Sequence, residues 1–293
     1  MRRLAHIVNP VRVGASSDLF KAQPVTFASM ETARRLAQGM VQVELYAAQF
    51  AEDRGLVPPF IQETPDLVRS VLDVGSFRVP RKLPLIRDIL DRLAAATEAD
   101  YLLYTNVDIG LLPHFYLVVD MLIEQGCEAM IINRRTIAKD PSEPALLPLM
   151  WSQVGDPHPG RDCFVFPRRA CDAFEVGDTC IGASSVGKVL ALNLACQVPS
   201  FREFTELHVT FHLGDDRSWL NPEAQDYEEH NRRQLARAVE TLRDRGELVD
   251  HPLVNRLAGL VTMPEAGAVR GDGRARSTLR QRLGWGRRVP RSS

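Results

Sequence analysis

The chain has five cysteines, at 127, 163, 171, 180 and 196, an odd number with no Cys-x-x-Cys pair among them. Neither a zinc ribbon nor a disulfide framework is indicated, and reduced thiols in a cytoplasm are the simplest reading. No apolar run approaches the roughly 18 residues that a membrane span needs. The first run, Leu4 to Val8, is interrupted by His6 and is too short for the apolar core of a signal peptide. A cytoplasmic protein without a transmembrane segment is expected. A phosphate-loop fingerprint is lacking as well. Gly182-Ala-Ser-Ser-Val-Gly187-Lys188-Val189 has glycines and a lysine, but no apolar strand precedes it and Val189 stands where a hydroxyl residue belongs. A net charge of −1 supplies no general attraction to nucleic acid, so no specific nucleic-acid partner is expected.

What is present suffices for a large core: 293 residues, 45% apolar and 25% charged. The charge is uneven. From Arg270 to Ser293 eight arginines face one aspartate, a local charge of +7, so residues 1–269 carry −8. With few large apolar side chains, residues 266–293 cannot offset the entropy lost on ordering, and a disordered Arg-rich tail is expected there. Its arginines offer contact to an acidic surface or partner.

Alternation of strand and helix signals marks the first half. Leu4–Val8 reads as a strand ended by Asn9-Pro10, followed by a long loop through Val25. Ser29 then caps a helix to about Met40, with Glu31 in its first turn. Val41–Tyr46 alternates as a second strand. A helix is expected around Pro65–Leu72 and an extended piece near Ser76–Val79. An amphipathic helix opening at Arg81-Lys82 runs to about Thr97; two cations at a helix start oppose the macrodipole and suggest an anion such as a phosphate, or merely a solvated surface pair. Tyr101–Thr105 is a strand, Pro113 to about Gln125 a helix, and Ala129–Ile132 a buried strand ending in Asn133-Arg134-Arg135. This pattern predicts a mostly parallel sheet covered by helices.

The second half is more irregular. His158–Asp162 is turn-rich and polar and leads into the strand Cys163–Phe166; 184–198 is helical, and His208–His212 reads as a strand. On a strand these two histidines would lie about 13 Å apart, too far to share one ion, and His212 is the better ligand. A long charged helix spans 223–247 and a short one 253–261.

The chain is best anchored on Tyr101–Ile109. Its apolar run ends in Asn106 and Asp108, two apart and so on one side of a strand. Beyond the carboxyl end of a strand, where open α/β sheets bind ligands, two such oxygens suit Mn²⁺ or Mg²⁺ with substrate phosphates. An Asx-type turn is the bland alternative.

Taken together, Asn106-Val-Asp108, the Arg81-Lys82-Leu-Pro segment, Gly160-Arg-Asp-Cys-Phe-Val-Phe-Pro167 and Thr210-Phe-His212 resemble a glycosyltransferase of the GT-A type over about residues 1–220. The resemblance implies an α/β, Rossmann-like fold over residues 1–265, with a nucleotide-binding half (1–135) and an acceptor-side half (136–265). It implies a nucleotide-sugar donor, an unidentified acceptor hydroxyl and Mn²⁺ or Mg²⁺ as cofactor. Asp108 matches the second Asp of the family's Asp-x-Asp element and His212 its C-terminal metal ligand. Asn106 departs from the motif, because an amide binds a metal more weakly than the carboxylate usual there. Asn9, Arg81, Lys82, Asn106 and Arg134 fall on the donor side, and Asp162, Asp215 and Asp216 are rival catalytic bases. Two other readings remain: a nucleotidyltransferase of the same fold, which the single glycine after the first strand disfavours, and a catalytically silent binding module, which Asn106 favours.

Overall fold

In a computed structural model, residues 1–215 and 224–262 are described. Nine strands of the described residues form one sheet: β1 (Arg3–Val8), β2 (Gln42–Ala47), β3 (Gln62–Glu63), β4 (Tyr101–Thr105), β5 (Gly110–Leu111), β6 (Ala129–Ile137), β7 (Asp156–Pro167), β8 (Phe201–Phe204) and β9 (Thr210–Leu213). Their spatial order is β3-β2-β1-β4-β7-β6-β9-β5, with β8 beside β6. β3, β2, β1 and β4 are parallel, β7 runs antiparallel between β4 and β6, and β6 is parallel to β8 and β9. Among the described residues seven α-helices accompany it: α1 (Asp18–Leu36), α2 (Ile86–Ala96), α3 (Phe115–Glu124), α4 (Leu147–Trp151), α5 (Val186–Gln197), α6 (Gln225–Asp244) and α7 (Pro252–Thr262).

Side-chain alternation along the strands divides the core. Ala5, Ile7, Leu102, Tyr104, Ile131, Phe164 and Phe166 face the layer of α2, α5, α6 and α7. Leu4, Val8, Leu103, Met130, Ile132, Cys163 and Val165 face α1 and α3. This two-residue period buries both faces, and the α/β architecture that the resemblance implies is the one observed. All five cysteines are free thiols, and burial pushes those of Cys171 and Cys180 up to about 11 and about 12. Among the described residues no helix is long and apolar enough to cross a membrane.

Several boundaries differ from expectation. The loop expected through Val25 is instead the first turns of α1, which carries Pro24 inside it. The Gln23 carboxamide pairs with both backbone groups of Val11, at 2.9 Å each, and ties this end of the helix to the segment after β1. No helix forms at 65–72; only a 3-10 turn, Val71–Asp73, capped reciprocally by Ser70 and Asp73, occurs there. Ser76–Val79 joins no strand. The helix expected from Arg81 begins at Ile86 with Asp88 in its first turn, so the macrodipole argument for an anion at Arg81-Lys82 does not apply. His158–Asp162 is not a turn but part of β7, which pairs with β6 through two register shifts. His208 precedes β9 rather than sharing it with His212.

Candidate functional site

Asn106 and Asp108 follow β4, and the N-terminal half of antiparallel β7 returns beside them. The Asn106 amide nitrogen donates to Asp162 Oδ1 at 2.9 Å, while its carbonyl oxygen accepts from the Tyr104 hydroxyl at 2.9 Å. The Asn106 backbone N–H donates to the Asp162 carbonyl at 3.2 Å. From β6, Arg134 Nη1 donates to Asp162 Oδ2. Both Asp162 oxygens are therefore engaged. Burial lifts this carboxyl above its ordinary value, against the opposing charge of Arg134.

Asp108 turns to β9, where its Oδ2 lies 3.3 Å from His212 Nε2. His212 Nδ1 is 2.8 Å from the Gly214 carbonyl, so this nitrogen is protonated in either charge state and Nε2 is the one presented to Asp108, to which it donates when the ring is charged. Burial raises the Asp108 carboxyl and lowers the His212 imidazole, but their mutual hydrogen bond and charge prevail, leaving Asp108 below and His212 above its ordinary value. Asp108 Oδ1 is buried without a hydrogen-bond partner.

These residues fit a divalent ion as a pair. A carboxylate and an imidazole on one ion about 2.1 Å from each, at right angles, would stand about 3 Å apart. Among the described residues no group of three or more His, Cys, Asp or Glu is placed to hold a metal. The rest of a coordination shell would come from water and substrate phosphates.

His158, which sequence reasoning did not single out, belongs to the same cluster. Its Nδ1 accepts from the Gly160 N–H at 2.9 Å and its Nε2 lies 3.7 Å from Asp215 Oδ1. Burial, then the charge of Arg134, lowers this imidazole. A histidine within the polar segment that also held Asp162 was the available signal. Asp215 is exposed and close to this histidine; Asp216 and the Arg-rich tail lie outside the described residues.

The other donor-side candidates have partners within the fold. Asn9 is buried, with its Nδ2 donating to the Ala48 carbonyl at 2.6 Å, and so links the ends of β1 and β2. Lys82 pairs with Glu52 at 2.6 Å and lies 4.0 Å over the Phe50 ring. The backbone N–H of Arg81 donates to the Tyr227 hydroxyl at 2.7 Å.

No protein-family model and no curated protein matches this chain. Solved structures similar to it include residues 1–349 of TarS from S. aureus in complex with UDP-GlcNAc, 6% identical, covering 89% of this chain and 71% of that one at a TM-score of 0.49. A mycobacterial protein is 16% identical over 81% of this chain and 75% of its own, at 0.47. Glucosyl-3-phosphoglycerate synthase from Mycobacterium tuberculosis, in complex with Mn²⁺, UDP-glucose and phosphoglyceric acid, is 14% identical over 77% of each chain, at 0.44.

Proposed function

We propose that this chain is a metal-dependent glycosyltransferase that moves a sugar from a nucleoside-diphosphate sugar to an acceptor hydroxyl. The observation that carries this reading is the pair formed by Asp108, past the end of β4, and His212 on β9, with Asp108 Oδ1 buried and unpartnered. In this reading Asp108 and His212 hold Mn²⁺ or Mg²⁺, and residues 1–135 supply most of the donor side while 136–265 supply the acceptor side. The ion would neutralise charge that develops on the diphosphate as the sugar–phosphate bond breaks. Gly214 fixes the His212 tautomer through its carbonyl. Asp162 is committed to Asn106 and Arg134, so of the described candidates Asp215 is the better placed to take the proton of an acceptor hydroxyl. His158 faces it through Nε2.

One observation favours a silent binding module instead. Both polar atoms of Asn106 are used inside the protein, which leaves one carboxylate where the family's motif has two.

Thermal unfolding of the wild type and Asp108→Ala across UDP-, GDP-, ADP- and dTDP-sugars, with and without Mn²⁺, tests the proposal. A ligand at 100 times its dissociation constant stabilises by about 2.7 kcal/mol, a shift of roughly 5 °C or more for a chain near this size. A Mn²⁺-dependent shift with one nucleotide class, lost in Asp108→Ala, is expected. No shift with any donor would overturn the reading, and binding without any Mn²⁺-dependent donor hydrolysis would favour the binding module.

A further inference from the structure

Arg134 is 8% exposed, yet only part of its guanidinium is engaged: Nη1 donates to Asp162, while Nε is buried without a hydrogen-bond partner. An arginine and an aspartate buried together gain little from their attraction after desolvation, so such a pair is poor evidence of a stabilising device. This one is also held from behind. Tyr104 fixes Asn106, Asn106 fixes Asp162, and Asp162 fixes Arg134. A relay that orients a guanidinium while leaving a donor unsatisfied suits an external anion, since the planar fork matches phosphate oxygens.

The surroundings locate that anion. Arg134 sits on β6 two residues before Thr136, which pairs with His212 on β9, and its partner Asp162 holds Asn106, two residues before Asp108. The cation therefore stands beside the pair assigned to the metal. Asn106 now has a physical role: a carboxylate at this position would face the Asp162 carboxylate across the 2.9 Å now spanned by a hydrogen bond. The amide removes that repulsion. Asp108, Asp162 and Arg134 sum to a formal charge of −1, to which the amide adds nothing whereas a carboxylate at 106 would make the cluster −2, and the smaller charge reduces the demand for a metal ion.

We propose that Arg134 is a built-in cation for the donor diphosphate, so that the site binds a nucleoside diphosphate even without a divalent ion. The inference rests on the glycosyltransferase reading and makes Asp162 and Asn106 positioning residues for the arginine.

The test uses the full chain and calorimetric titration of UDP and of inorganic pyrophosphate, in EDTA and then in Mn²⁺. Asp162→Asn removes the buried ion pair but keeps the arginine, whereas Arg134→Gln/Asp162→Asn removes both charges. Wild type is expected to bind both probes in EDTA, and Asp162→Asn, which keeps the arginine but only one acceptor oxygen for the relay, to bind them more weakly than wild type and more tightly than the double variant. The double variant should bind both about tenfold or more weakly, the loss of one charge-assisted hydrogen bond. Should that variant fail to fold, Arg134→Met/Asp162→Leu replaces the pair with apolar groups and carries the same expectation. Equal binding by Asp162→Asn and the double variant would overturn the inference, as would a loss seen with UDP but not with pyrophosphate. Wild-type binding in Mn²⁺ but none in EDTA would overturn it while leaving the glycosyltransferase reading intact. No binding in either condition, extended to the other nucleotides, would remove both.

Discussion

Two buried polar clusters meet at the end of β4 on opposite faces of the sheet. On the face of α3, His6 is fully enclosed, with Nδ1 2.8 Å from the Tyr116 hydroxyl and Nε2 2.9 Å from the Thr105 hydroxyl. Each ring nitrogen has a partner. On the other face the very next residue, Asn106, opens the Asp162–Arg134 relay, and there Arg134 Nε and Asp108 Oδ1 have none. A buried polar atom without a partner costs about 1–3 kcal/mol, so natural structures leave few of them. The first cluster serves the fold and is complete without a ligand. The second leaves one acceptor and one donor without a partner inside the protein, which is what the proposed cation and anion would each engage.

The largest expected effect lies in the second cluster. Arg134→Ala leaves the Asp162 carboxylate buried and uncompensated, and urea denaturation should show a loss of about 3–5 kcal/mol. Removing both charges together should recover much of it, because no lone charge remains. A loss below about 1 kcal/mol for the single variant would mean that Asp162 is well solvated and that the two clusters do not differ in kind.

The first cluster predicts a pH effect. Burial pushes His6 down to about 3, below its ordinary 6.5. The unfolded chain therefore binds a proton that the native chain refuses between these values. The resulting stability is fully present above about pH 6.5 and is lost as pH falls toward 3, with a slope of up to about 1.4 kcal/mol per pH unit. His6→Gln removes this titration, so the difference between wild type and variant in urea denaturation should shrink steadily from pH 7 to pH 4. A difference independent of pH would show that His6 is not held neutral. His212 should behave with the opposite sign. Its raised value makes its contribution present below its ordinary value and lost as pH rises through the folded one.

Legibility followed local signals. β1 and β4 were readable as short apolar runs, which the fold buries almost continuously, β2 as an alternating stretch, and α3 from the Pro113 and Gly126 that bracket it. Pro24 concealed the start of α1, since a proline normally ends a helix or sits in its first turn, and the long-range Gln23–Val11 pairing is invisible locally. Pro157, Pro159 and Gly160 made the start of β7 look like a turn; only its irregular pairing with β6 accommodates them. Asp108, Asp162, Arg134 and His212 were each visible as residues, and the resemblance set Asp108 beside His212, which lie 3.3 Å apart. The Asp162–Arg134 contact was not visible, because it arises from an antiparallel strand pair with shifted register, and no spacing rule encodes that.

The segment before α2 shows how a contact across the fold can replace a local rule. Arg81 was expected at a helix start, yet its backbone N–H donates to the Tyr227 hydroxyl, which in turn donates to the Val79 carbonyl at 2.8 Å. The Tyr227 ring stacks on Phe77 with centroids 4.0 Å apart. Like the His6 cluster, this arrangement has a use for both the donor and the acceptor of its hydroxyl, so it belongs to the fold and not to a ligand. Tyr227→Phe keeps the stacked ring and removes only the hydroxyl. A loss of about 1 kcal/mol is expected in urea denaturation, the smallest of the three effects, because Arg81 is partly exposed and water can replace one of the two bonds. A loss as large as that of Arg134→Ala would place this contact among the uncompensated ones and break the division between satisfied and unsatisfied clusters.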